Sequence, residues 1–434
     1  MHVIYEDPLP SGWNEETLGT LVTTKRGCSW SKEQERDRPA EGTIPVIRIP
    51  NIQASLDLSD LLHIDGISPE QRAASAVTKG WTLLVGSNGN PKRIGDPVLM
   101  EEDREMIFAS FLFALRPKPD GARITDEFIA CWLHAHRIHE FISETSQMTT
   151  GLANMSWSAC RKLPVRFPQR KGEQTRIAET LKAADDHIRA LEEQIRKAER
   201  VAAALDQAHF AAGPHTVRFP YEYGTTRTIP HGWASKRLGQ IADVTSGITL
   251  NQDREAADNG VRYLTVVNVY RSRIDLTEER YLESRGNEAE SKRLNRHDIL
   301  VVEGHANPGE IGRAALVSER EAGMSFQNHL FRVRLENEDE VRARFLVRAL
   351  NSPRVRRHWV ATANTSSGLS TINRTALRRL IVPLPKPREQ DLIIERLEAA
   401  EEQVTALNQQ LTAARRVKQS LLQNLLTGKI HLKP

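Results

Sequence analysis

The sequence predicts an α+β protein made of two tandem modules, each followed by a long helix, with the two helices paired as an antiparallel coiled coil. Three observations predict it. An apolar seam of helical spacing is written twice, a string of short motifs is written twice in the same order, and a Pro/Gly-bearing stretch lies between the copies.

The first seam is Ile177, Leu181, Ala184, Ile188, Leu191, Ile195, Ala198, Ala202 and Leu205. Its steps alternate four and three, the spacing a helix needs to pack along another helix. The second is Ile393, Leu397, Ala400, Val404, Leu407, Leu411, Ala414, Lys418 and Leu421, with Lys418 the one departure from apolar character. Neither helix can bury such a stripe alone, so each is the other's expected partner. The antiparallel arrangement is preferred because the intervening module can then return the chain without a long backtrack. A helix of about 33 residues spans about 50 Å at ~1.5 Å per residue. At ~3.4 Å per base pair that is on the order of 15 base pairs.

The modules themselves repeat motif by motif. Leu9-Pro10-Ser11-Gly12-Trp13 before Leu18-Gly19 returns as Ile229-Pro230-His231-Gly232-Trp233 before Leu238-Gly239. Asn51, at the end of an apolar run, returns as Asn268. The apolar runs Thr82-Leu83-Leu84-Val85 and Ile299-Leu300-Val301-Val302 each precede a polar loop, Asn90-Pro91-Lys92-Arg93-Ile94-Gly95 and Asn307-Pro308-Gly309-Glu310-Ile311-Gly312. Gly151-Leu152 and Gly368-Leu369 each end a Ser/Thr-rich loop, and a proline-rich segment then leads into each long helix, where proline suits helix entry. A period this long duplicates a whole module, since solenoid repeats run about 20–50 residues. Residues 211–228 hold Gly213, Pro214, Pro220 and Gly224 without periodicity and read as a linker. The expected layout is therefore module 1–168, helix 169–210, linker 211–228, module 229–385 and helix 386–434.

At 434 residues several domains are expected, and a net charge of +4 permits a nucleic-acid partner without demanding one. Cys28, Cys131 and Cys160 form no CxxC pair, which together with the lack of a signal peptide points to a reducing cytoplasm. No apolar run approaches the ~20 residues of a membrane span. The distribution of charge is more telling. Residues 341–380 hold Arg342, Arg344, Arg348, Arg354, Arg356, Arg357, Arg374, Arg378 and Arg379 and no acidic residue, against the mixed signs of an ordinary solvated helix face. The planar guanidinium suits phosphates and base edges, so nucleic-acid contact is the preferred reading.

Catalytic and metal motifs are wanting. His134, His136 and His139 would not share one helix face, and their counterparts are Asn351, Pro353 and Arg356, so surface or phosphate contact is preferred to a metal site. Gly428-Lys429 lacks the upstream glycine of a P-loop. Asn90-Pro91 and Asn307-Pro308 are not followed by the proline and aromatic residue of an amino-methyltransferase box. They serve either as turn-formers or as parts of a contact loop.

In this order and duplicated, the motifs resemble the specificity subunit of type I restriction–modification enzymes over essentially the whole length. The likeness rests on the Pro-x-Gly-Trp entry and on the Ile-Gly loop, extended to Ile311-Gly312-Arg313. It also rests on Glu173-Gln174 and Glu389-Gln390 after the proline-rich lead, and on the ending Leu421-Leu422-Gln423-Asn424-Leu425-Leu426-Thr427-Gly428. The first module departs from it by having Asp96 where the second has Arg313. The resemblance implies two target-recognition domains on a coiled-coil spacer, binding an asymmetric, bipartite double-stranded DNA target with no chemistry in this chain. It further implies two methyltransferase subunits carrying S-adenosylmethionine and the adenine-N6 chemistry, which two ATP- and magnesium-dependent restriction subunits can join. The residues expected at DNA are Asn88, Asn90, Lys92, Arg93, Gln147 and Thr149 in the first domain. In the second they are His305, Asn307, Arg313, Ser366 and Ser367, with Arg354, Arg356 and Arg357 on phosphates. The rival readings are a self-sufficient DNA methyltransferase or nuclease, and a coiled-coil scaffold without a nucleic-acid role.

Overall fold

The computed structural model describes residues 4–432 apart from 6, 54, 120–122, 150, 211–215, 221–225, 251–259, 284, 363 and 367–368. The chain divides into two units, Met1–Glu192 with Gln409–Pro434, and Glu193–Asn408. The long helices Lys171–Phe210 and Pro387–Leu425 each contribute to both.

The first unit opens with Trp13–Thr17 paired antiparallel to Pro164–Pro168. The entry motif is a tight turn: the Trp13 N–H donates to the Pro10 carbonyl at 3.2 Å, and Gly12 sits at φ +75°. That left-handed position of a four-residue turn favours glycine. The second unit repeats it, Trp233 to Pro230 at 3.2 Å with Gly232 at +85°. A four-stranded antiparallel sheet follows, in the order Val22–Arg26, Leu112–Pro117, Thr82–Val85, Pro97–Leu99. Leu83, Leu84 and Val85 are consecutive apolar residues rather than alternating ones because the strand Thr82–Val85 is buried along its whole length. A five-stranded sheet holds the parallel pair Ile44–Ile47 and Met106–Phe108.

The second unit has the same four-stranded order in Ala242–Ser246, Leu330–Leu335, Ile299–Val302 and Ala314–Leu316, and the same kind of parallel pair in Val261–Leu264 and Ser325–Phe326. It adds a small hairpin, Val269–Tyr270 with Arg273–Ile274.

In the first unit Ile177 and Leu181, near the start of the first long helix, share a core with Leu425 and Leu426 at the end of the second. In the second unit Leu205 and Phe210 share a core with Ile393, Ile394 and Leu397. The helices therefore run antiparallel. Leu191, Ile195 and Leu411 are buried on the seam, and Ile188, Val404 and Leu407 are half-buried. Lys418 is a paired cation within it: its ammonium meets the Asp185 carboxylate of the opposite helix, as Arg415 meets Glu192 at 2.8 Å.

Two expectations change. The second long helix ends at Leu425 and does not continue to 434. Gly428 at φ +70° turns the chain back, placing Lys429 2.9 Å from Asp7 and the His431 ring edge-on to Trp13. The stretch read as a linker carries a hairpin, Thr216–Pro220 against Thr226–Pro230, built from the β-branched and aromatic residues Thr216, Val217, Phe219, Thr226, Thr228 and Ile229.

Buried amides hold the repeated joints. Gln174 is fully buried: its Nε2 donates to the Arg123 and Pro168 carbonyls, and its Oε1 accepts from the Thr125 N–H that opens the helix Asp126–Leu133. Gln390 does the same with Glu340, Pro385 and the Arg342 N–H that opens Ala343–Asn351. Asn51 and Asn268 each bind one N–H three residues back and two carbonyls of the following loop. A buried backbone group without a partner costs ~1–3 kcal/mol, which explains why these amides recur.

Candidate nucleic-acid interface

The Asn-Pro loops are short 3₁₀ turns, Pro91–Arg93 and Pro308–Glu310. Asn90 Oδ1 accepts from the Lys92 N–H at 3.1 Å, and Asn307 Oδ1 accepts from the Gly309 N–H at 2.9 Å. Asn88 and His305 in turn accept from the Asn90 and Asn307 N–H groups, at 2.7 and 3.0 Å. These side chains therefore form the turns in both units. The glycine that closes each turn lets a helix pack onto it. A Cβ on Gly95 (φ +91°) would lie 2.7 Å from Ile142, and one on Gly312 (φ +67°) 2.4 Å from Trp359.

Hydrogen bonding brings distant candidates together. Ser87–Asn88, Leu152–Asn154 and Gln147–Thr149 form one three-stranded sheet, with Asn88 opposite Ala153 and Gln147 opposite Asn154. Gly304–His305, Leu369–Thr371 and Asn364–Ser366 form its counterpart, with His305 opposite Ser370. The side chains of Thr149 and Ser366, and all of Ser367, lie outside the described residues. Two apolar residues of the first unit join this surface without having been anticipated: Phe111, whose carbonyl accepts from Gly86 and Ser87, and Met148 on Gln147–Thr149. They are 50% and 62% exposed, and exposed apolar groups suit contact with a thymine methyl. In the sequence a lone phenylalanine and methionine look like core.

The charges beside the turns are inverted between units. In the first, Arg93 Nε is 3.0 Å from Asp96, and Asp96 is 2.9 Å from His139 Nε2. Burial acts to raise the Asp96 carboxyl, but the hydrogen bonds from His139 and Arg93 outweigh it and hold the carboxyl below its ordinary range. His139 is thus committed to a carboxylate, and no group of His, Cys, Asp or Glu among the described residues could hold a metal ion. In the second unit the matching positions are Glu310, Arg313 and Arg356. Arg313, expected at DNA, is only 8% exposed; its Nη2 donates to the Val266 carbonyl at 2.8 Å and its Nη1 lies 3.6 Å from Glu310. It braces the turn from within.

The acid-free arginine stretch also looks different in space. Arg342 binds Asp391, Arg344 binds Glu398 and Arg348 binds Glu401, all carboxylates of the second long helix. These three belong to the scaffold. Arg356, Arg357, Arg374, Arg378 and Arg379 remain exposed, while Arg354 is half-buried.

The comparisons agree with this architecture. The family model described as the type I restriction modification DNA specificity domain matches residues 10–200 and again 230–414, so the chain belongs to that family and carries two such domains. Among curated relatives, the StySPI specificity subunit of Salmonella potsdam is 26% identical and the EcoKI specificity subunit of Escherichia coli K12 is 22% identical. Each alignment covers 97% of this chain and 90% of the relative. The fold is shared with two solved structures. The type I restriction–modification S subunit from M. genitalium gives a TM-score of 0.53 at 15% identity, covering 95% of this chain and 96% of that one. The HsdS subunit from Thermoanaerobacter tengcongensis gives 0.54 at 17%, covering 98% and 99%. No helix among the described residues is long and apolar enough to cross a membrane.

Proposed function

We propose that this chain is the non-catalytic DNA-reading subunit of a type I restriction–modification assembly, each unit reading one half of a bipartite target. The observation that carries the reading is the duplicated surface of a three-stranded sheet beside an Asn-Pro turn. The scaffold beneath the two copies is the same, and the side chains on them differ: Asn88, Asn90, Lys92 and Gln147 in one, His305 and Asn307 in the other. Equal scaffolds present equal partner surfaces, whereas unequal readers demand an asymmetric target. Amide and cationic side chains suit purine edges in the major groove, and exposed Arg356 and Arg357 suit phosphates.

The adenine-N6 methylation would be performed by two methyltransferase subunits holding S-adenosylmethionine. Two restriction subunits using ATP and magnesium would cut the DNA, all in the cytoplasm. The test is co-expression with the neighbouring methyltransferase and genome-wide mapping of modified adenines by single-molecule sequencing. Two half-sites at a fixed gap, with adenines modified on opposite strands, are the expected result. A continuous motif would refute the two-reader scheme, and no motif would favour a scaffold.

A further inference from the structure

The inverted charges beside the second Asn-Pro turn leave an imbalance that the first unit lacks. Two guanidiniums, those of Arg271 and Arg313, lie beside one carboxylate, Glu310, and the charge of Arg356 is close enough to act on Arg271. Arg271 reaches the turn itself, donating through Nη2 to the Gly309 carbonyl, and lies 3.8 Å from Glu310. Arg313 lies 3.6 Å from the same carboxylate, also beyond hydrogen-bond distance. Arg356 stands on the helix Pro353–Thr362, whose Trp359 packs on Gly312 at the end of the turn. Burial lowers the Arg271 guanidinium; Glu310 acts the other way, and nearby Arg356 and Arg313 lower it further.

Two of these groups are unsatisfied. Arg271 Nη1 and Arg313 Nε are shielded from solvent and have no hydrogen-bond partner among the described residues, and the Arg313 side chain is only 9% exposed. Arg356 is exposed and has no ion-pair or hydrogen-bond partner for its guanidinium among the described residues. A shielded guanidinium without its full set of acceptors is costly, and an anion with several oxygens relieves that cost. In the first unit Asp96 bridges Arg93 and His139 at the matching positions, so both partners share a carboxylate.

We propose that Arg271, Arg313 and Arg356 form a site for one phosphate-class anion, a DNA phosphodiester in the working complex, present in the second unit and absent from the first. The DNA part rests on the function proposed above; the anion part stands on the cluster itself. Binding there would anchor the second Asn-Pro turn to the backbone through charge, whereas the first turn would meet its half-site without this anchor.

The test uses the full-length chain, a fluorescent duplex of mixed sequence, and binding measured against potassium chloride concentration. Neutralising one phosphate contact shallows the log–log salt slope by ~0.9. Arg356→Gln and Arg271→Gln are each expected to do so, and the double variant no more than either alone, because both act on one phosphate. Arg356→Lys, which keeps the charge, should restore most of the slope. In parallel, inorganic phosphate is compared with chloride at equal ionic strength by thermal unfolding of the wild-type chain and of Arg356→Gln.

A doubled slope change in the double variant would mean two separate contacts and overturn the shared site. Unchanged slopes with no phosphate-specific stabilisation would overturn it altogether, leaving DNA reading intact. Unchanged slopes with a stabilisation by phosphate that Arg356→Gln abolishes would keep the site and assign it to free phosphate. If the wild-type chain binds no duplex, the DNA-reading proposal fails, and the phosphate arm alone decides the site.

Discussion

The two units differ least where side chains serve the backbone and most in the ion pairs beside the Asn-Pro turns. Gln174 matches Gln390, Asn51 matches Asn268 and Gly95 matches Gly312, each with the same kind of partner. A few residues away, Arg93, Asp96 and His139 correspond in the repeat to Glu310, Arg313 and Arg356, with the signs of the first two exchanged. A backbone amide or carbonyl is the same whatever the sequence, so the groups that satisfy it have little freedom. An ion pair across three residues works with either sign first, so it can drift or be reshaped for a ligand.

The largest effect should come from removing a shared amide. Gln390→Ala strands two carbonyls and one N–H in the interior, and Gln174→Ala does likewise. At ~1–3 kcal/mol per stranded group, each should cost about 3–5 kcal/mol in urea unfolding followed by circular dichroism. A loss below ~1 kcal/mol in either unit would show that water replaces the amide and would break the equivalence.

Next come the glycines. Gly312→Ala drives a Cβ into the rigid indole of Trp359 at positive φ and should cost about 3 kcal/mol. Gly95→Ala meets the smaller, more yielding Ile142 and should cost about 2 kcal/mol in the same measurement. Equal costs would mean that backbone strain, not the helix packed on the turn, explains both.

Asp96→Ala probes the inverted pair. The pair is about one-third exposed, so after solvent screening the expected loss at neutral pH is ~0.5–1 kcal/mol. The folded chain holds this carboxyl below its unfolded value, so its contribution is complete above the ordinary carboxylate range. It disappears as pH falls through the lowered value. Stability measured across that acid window should therefore converge between Asp96→Ala and the wild-type chain. A constant gap down to low pH would remove the ion pair as its cause.

How much of this was legible in the sequence follows the same division. The seams, the Gly-Trp turns and the buried strands could be read because periodicity and turn chemistry are local. The convergence of Asn88 with Gln147, and of His305 with the strand Leu369–Thr371, is only partly readable: polar loops mark Asn88, Gln147 and His305 as candidates, but nothing local marks the sheets that join them to their neighbours. The arginine stretch misled most. Counting charge along residues 341–380 finds no acid, yet Asp391, Glu398 and Glu401 lie one helix away. Charge balance is a property of neighbours in space, and only the helix pairing supplies those neighbours.

The smallest predicted effect tests that last point within a single helix. Arg344 and Arg348 sit one turn apart on Ala343–Asn351, and each binds a glutamate of the second long helix. Arg344 is 56% exposed, so its pair with Glu398 is largely screened, and Arg344→Ala should change stability by under ~0.5 kcal/mol. Arg348 is 13% exposed and grips both oxygens of Glu401, at 2.8 and 2.6 Å. The bond to Glu401 raises its guanidinium above the ordinary range despite burial, and Asp206 lies nearby. Arg348→Ala should therefore cost more, about 1–3 kcal/mol, partly because the half-buried Asp206 loses a neighbouring cation. Urea midpoints for the two variants decide it: equal shifts would mean that burial does not set the worth of these bridges.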